Sequence, residues 1–173
     1  TLYIRDTETV DVQLGRSGLQ GFDFGTIDLS SADANLTITE DQVLAQVNAA
    51  RAQKGCRALV MDERLSKSAY GHARAMAEKN FFSQTGANGS SSKSRAHAAG
   101  YRTTFIGENV AMGQASAADV FSNWMSSKGH RANMLDCRFT ETGIGLFYQA
   151  DDKPLPGRAY ATKYYWVEVF ARP

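Results

Sequence analysis

Very little in this sequence points to catalysis by a familiar route. It has no HExxH, no phosphate-binding Gly-rich loop and no nucleophile elbow around a serine. Cysteine is scarce: Cys56 and Cys137 stand alone, with no CxxC pair and no Cys/His cluster, which argues against a structural zinc site. No apolar run approaches the ~20 residues of a membrane helix, and no leader peptide is visible. The chain starts at Thr1 rather than Met and reads as a processed or trimmed product, so a missing leader says nothing against secretion. An excess of one charge is also missing. The formal net charge is +1 and the basic residues are scattered, so there is no electrostatic case for nucleic acid or an anionic membrane.

What is present is ordinary for a globular chain. The 173 residues are 43% hydrophobic and 21% charged, enough for one domain with a real core. The two cysteines have two readings. They are unrelated buried thiols, or one long-range disulfide closing a loop of about 80 residues, worth ~4 kcal/mol if unstrained and implying an oxidising compartment.

Residues 1–38 differ from the rest. Val10, Val12 and Leu14 alternate with polar residues as in a half-buried strand, and Gly15 to Ala34 reads as loop or linker. This segment is an edge hairpin, a linker from an upstream domain, or a dimerisation arm. A domain then covers residues 39–173. A capping box at Thr39 and Gln42 predicts a helix start, with Val43, Val47 and Ala50 on one face and Gly55 as its stop. Asp62 caps the next helix, where Leu65, Ala69, His72, Ala73 and Met76 share a face as far as about Asn80. A Gly/Ser loop from Gly86 to Ser94 precedes a short helix ending at Gly100. Phe105 to Met112 reads as a strand. Ser116 and Asp119 cap a helix through Trp124 that Gly129 breaks. Ile144, Leu146 and Tyr148, then Val167 and Val169, alternate as two long strands. The turn between them holds Asp151, Asp152, Pro154, Pro156 and Gly157. Helices followed by a terminal antiparallel hairpin predict an α+β layered domain.

Each candidate for chemistry has a bland reading beside it. His130 follows a glycine at the expected helix break, where exposed functional groups tend to sit, and is otherwise a surface or capping histidine. Glu108 lies in an apolar run and needs a partner or a metal; a structural ion pair is the bland reading. Glu141 reads as a solvated strand-end charge. The Gly143-Ile144-Gly145 string lacks the rest of a dinucleotide fingerprint. His72 reads as a satisfied core histidine and His97 as a solvated one. Sequons occur at Asn35 and Asn88, and matter only if the host glycosylates secreted chains.

Taken in order, several strings resemble the CAP superfamily (cysteine-rich secretory, antigen 5 and pathogenesis-related proteins; the SCP domain) of bacterial type. They are Val47-Asn48-Ala49-Ala50-Arg51, Asp62-Glu63-Arg64-Leu65, Asn80-Phe81-Phe82-Ser83 and Gly107-Glu108-Asn109-Val110-Ala111. Gly129-His130-Arg131-Ala132-Asn133-Met134-Leu135, Phe139 to Gly145, and Tyr165 to Phe170 complete the set. The match covers roughly residues 40–173.

The resemblance implies a three-layer α-β-α sandwich with a central antiparallel sheet and a large cleft on one side. In the family that cleft is lined by two histidines and acidic residues and can hold a divalent cation. Glu108 and His130 correspond to two of those groups. The other histidine would follow Phe82-Ser83, where this chain has Gln84, and a further acidic position of eukaryotic members is Ser127. Glu141 and His72 complete the expected cleft set. An amide oxygen is a poor zinc ligand, so the expectation is a degenerate site binding zinc weakly or not at all, with Mg²⁺ or Ca²⁺ still able to use Glu108. No cofactor is required. The resemblance also places Cys56 and Cys137 where secreted bacterial members carry a bridge. It implies an extracellular or cell-surface binding module for a lipid, glycan, peptide or protein partner. The alternatives are a hydrolase using His130 as base with Glu108, and a structural role in surface attachment through residues 1–38.

Overall fold

The computed structural model describes residues 32–173, with side chains from Thr39 onward. The strand expected at Val10 to Leu14, the Asn35 side chain and the tethering role assigned to residues 1–38 lie outside this description.

The elements run α1 (Ala32–Gln53), β1 (Val60–Met61), α2 (Glu63–Glu78), α3 (Ser92–Ala98), β2 (Phe105–Met112), α4 (Ala117–Ser126), α5 (Lys128–Met134), β3 (Glu141–Tyr148) and β4 (Tyr164–Arg172). The first helix starts seven residues before the expected cap. Thr39 therefore lies inside α1, and its neighbour Glu40 reaches across to accept a hydrogen bond from Leu146 N at 3.2 Å on β3. The α2 start is as read: Asp62 accepts from Arg64 N at 2.9 Å and Leu65 N at 3.2 Å. Asn80 ends that helix in the left-handed region, at φ 51°. The α4 break falls at Ser127, whose backbone is extended, and not at Gly129. Gly129 and His130 are inside α5, because one glycine costs a helix only about 1 kcal/mol and does not stop it unaided.

The four strands form one sheet in the order β1-β3-β4-β2, antiparallel except for β1. That strand pairs in parallel with β3 through Val60↔Glu141 and Met61↔Thr142, and is too short to show any period in the sequence. Alternation along β3 and β4 splits the core in two. Ile144, Leu146, Trp166 and Phe170 pack with Val43, Val47, Val120, Trp124 and Met134 from α1, α4 and α5. On the other face Tyr165, Val167 and Val169 pack with Leu65, Ala69, Ala73 and Met76 of α2. The result is helices on both faces of a central sheet, as expected.

The Gly-x-Gly string on β3 has a packing role. A Cβ on Gly143 would stand 2.1 Å from the backbone of Leu65 and Ser66, and one on Gly145 2.3 Å from Tyr70 N. Only glycine lets α2 lie this close to the sheet.

The first matching string is structural as well. Asn48 donates to Leu59 O at 3.1 Å and accepts from Leu59 N at 2.8 Å. The fully buried Arg51 donates to four carbonyls: Arg57 O (3.0 Å), Met134 O (2.8 Å), Asp136 O (3.0 Å) and Phe139 O (3.0 Å). Beside it, Cys56 and Cys137 form a disulfide with a Cα–Cα distance of 4.9 Å. Bridge and guanidinium together hold the α5–β3 connection against the end of α1.

Candidate functional site

Among the described residues β2 is an edge strand, so its outward carbonyls have no neighbour there in the sheet. At Glu108 the gap is filled from both helical layers. Gln84 Nε2, from the loop after α2, donates to Glu108 O at 2.7 Å, and Asn133 Nδ2, from α5, donates to the same oxygen at 3.3 Å. Asn133 Nδ2 also lies 2.9 Å from Asn109 Oδ1, and Asn109 Nδ2 donates to His130 O at 3.0 Å. Two strings of the sequence, Gly107 to Ala111 and Gly129 to Leu135, thus meet at one point of the sheet edge.

The carboxyl group of Glu108 points into the α2–α3 layer and is buried. Arg95 Nη2 lies 2.8 and 2.7 Å from its two oxygens, with both side chains largely out of water. The same guanidinium donates to Gln84 O at 3.0 Å and Ser90 O at 2.8 Å. Burial pushes the Glu108 pKa up, and the Arg95 charge opposes it. The buried His72 lies on the same layer, with Nε2 2.8 Å from Ser83 O. Burial, and then the Arg95 charge, push its pKa down to about 4, so it is neutral at pH 7.

The remaining expected residues are spread out. His130 is half-buried on α5; its Nδ1 is buried without a partner among the described residues, and burial lowers its pKa. Ser127 joins α4 to α5 through its backbone and makes no side-chain cap. Glu141 accepts a short hydrogen bond from Tyr101 OH, and Arg64 stacks on that tyrosine ring. His97, read as solvated, is half-buried and bonds Thr103 O at 2.9 Å through Nε2. Asn88 is exposed.

Two residues of this neighbourhood escaped the sequence reading. Arg95 sits in a short helix behind a Gly/Ser loop, and nothing in its string marks it as the partner of Glu108. Glu168 is fully buried on β4, with Oε1 3.3 Å from Thr142 Oγ1 and Oε2 unpartnered among the described residues. The alternation of Val167 and Val169 places the neighbours of Glu168 in one core, which puts Glu168 itself in the other.

The fold and the ordered strings have their counterpart in known proteins. The model of the cysteine-rich secretory protein family, CAP, matches residues 44–170, and this chain belongs to that family. It is 35% identical over 116 residues to YkwD of Bacillus subtilis (strain 168), an alignment covering 67% of this chain and 45% of that protein. The chain thus spans less than half the length of that relative. Among solved structures it resembles an extracellular SCP-domain protein of Bacillus anthracis str. Ames, with a TM-score of 0.67, 22% identity, and 80% of this chain and 41% of the other covered. It also resembles an outer surface protein of Borrelia burgdorferi, with a TM-score of 0.64, 19% identity, and 78% of this chain and 94% of the other covered.

Proposed function

We propose that this domain is an extracellular or cell-surface binding module of the CAP family whose cleft works without a catalytic metal. The observation that carries this reading is the contact of Arg95 with both oxygens of Glu108. A guanidinium already stands where a divalent cation would need that carboxylate. Gln84 spends its amide on a backbone carbonyl, which leaves His130 as the one imidazole of the expected pair. The donor set does not fit zinc, and a hard cation would have to displace Arg95 from a buried ion pair.

Hydrolysis fares no better. A general base is normally oriented by a hydrogen bond through its second ring nitrogen, and the buried Nδ1 of His130 has no such partner among the described residues. Binding remains, with a lipid, glycan, peptide or protein surface as ligand. The Cys56–Cys137 bridge supports an oxidising compartment, and the likeness to an extracellular protein of Bacillus anthracis and an outer surface protein of Borrelia supports the cell exterior.

The test is turnover of fluorogenic peptide and ester libraries by the native protein and a folded His130→Ala variant, with and without added zinc. The expected result is no turnover above buffer in either. Turnover lost on His130→Ala overturns the reading.

A further inference from the structure

A pocket of about 400 Å³ opens between α2, the loop 86–90 and α3. It adjoins the sheet-edge cluster through Arg95 and His72, which line it, whereas Gln84, Glu108, His130 and Asn133 do not. Its size is that of a small-ligand site. Small residues line it, among them Gly71 and Ala75 of α2 and Ala98 of α3. The polar side chains lining it are His72, Lys79, Asn88, Ser90, Ser94 and Arg95.

The charge of that lining is one-sided. No carboxylate lines the pocket. Asn88 Oδ1 accepts from Ser90 N at 3.1 Å. The Lys79 ammonium makes no hydrogen bond or ion pair among the described residues. His72 reaches the pocket but is uncharged at neutral pH, so the unneutralised charge there belongs to Lys79, that of Arg95 being balanced by Glu108. An ammonium without an ion partner and with no carboxylate opposing it, beside small residues such as Gly71, Ala75 and Ala98, favours an anion on a short apolar stem.

We propose that this pocket is a binding site for small carboxylate ligands, with Lys79 as the charge that holds the carboxylate and the small residues Gly71, Ala75 and Ala98 beside the stem. The proposal goes beyond the cleft reading and stands or falls without it. Gly71 offers a direct way to close the site. Gly71 lines the pocket and the position a Cβ would occupy there has nothing within 4 Å, so a larger side chain adds bulk at the lining without a clash.

The experiment is a nuclear magnetic resonance titration of the labelled protein with butyrate, beside butylammonium as the mate of similar shape and opposite charge. Butyrate is expected to give saturable shifts at Gly71 and the 86–90 amides, with Kd of about 1 mM. Butylammonium is expected to give none. Lys79→Met should weaken butyrate at least about tenfold, the loss of one charge-assisted contact. Gly71→Leu, which keeps Lys79, should abolish the shifts. No saturable shift with butyrate, equal response to butylammonium, or unchanged binding in Gly71→Leu each overturns the proposal.

Discussion

Arg95 Nη2 sits within hydrogen-bond reach of both oxygens of Glu108, and the two partners are not equally dependent on each other. Arg95 has further acceptors in Gln84 O and Ser90 O, whereas the Glu108 carboxylate has Arg95 alone among the described residues. Arg95→Met therefore strands a buried carboxylate and should cost about 3–5 kcal/mol, while Glu108→Gln should cost less. The double replacement Arg95→Met/Glu108→Leu should recover most of the loss. Urea denaturation of the three variants checks the order.

The connection between α5 and β3 is held twice. Replacing Cys56 and Cys137 by alanine should cost about 2–4 kcal/mol. The α5 helix should still stay in place, because Arg51 keeps its four carbonyl contacts. Arg51→Met in the disulfide-free protein should release it. Hydrogen exchange at the amides of 130–136 is expected to rise sharply in that combination, and only modestly in either change alone.

Two glycines on facing elements should respond oppositely to alanine. Gly145→Ala drives a methyl into the backbone of α2 and should cost about 1–3 kcal/mol or more. Gly71→Ala meets open space in mid-helix and should stabilise by up to about 1 kcal/mol. Thermal melting of the pair distinguishes a requirement for close approach from a mere preference for glycine.

Stability should fall as pH rises from about 6.5 to 8. Burial raises the Glu168 pKa to about 8 and the Glu40 pKa to about 7 from an ordinary value of 4.5, so the folded state holds protons there that the unfolded chain has lost. Such groups contribute fully below the unfolded pKa and lose their contribution as pH passes the folded one. His72 has the opposite sign, its pKa falling from 6.5 to about 4, so its contribution is lost as pH falls below about 6.5. Above about 6.5 His72 therefore no longer opposes the two glutamates. The loss there is at most about 2 kcal/mol per carboxyl. Glu168→Gln should flatten the slope, as read from urea midpoints across that range.

Much of this architecture is legible in the chain because it is written in short-range chemistry. The Asp62 cap, the apolar face of α2 and the period-two strands each follow from neighbours in sequence. The ordered strings add the layers and the bridge. What escapes depends on distant partners. The Thr39 capping signature says where a helix can start, but α1 runs on to Ala32, and Glu40 serves β3 instead. A two-residue β1 has no pattern to detect. Gln84 stands out in the sequence by what it lacks as a ligand, whereas its work is to satisfy Glu108 O on an open sheet edge. Arg95 becomes visible only when the fold lays α3 over β2, and of all these residues it most alters what the Glu108 carboxylate can do.

The most direct measurement is calorimetric titration of the metal-free native protein with Zn²⁺, beside Gln84→His and Gln84→His/Arg95→Met. No saturable binding is expected from the native protein and weak binding at best from Gln84→His, because Arg95 still holds Glu108. Zinc affinity should emerge in the double variant, where both an imidazole and a free carboxylate are supplied. Tight zinc binding by the native protein, lost on His130→Ala and on Glu108→Gln, would contradict the claim that Arg95 takes the place of a metal.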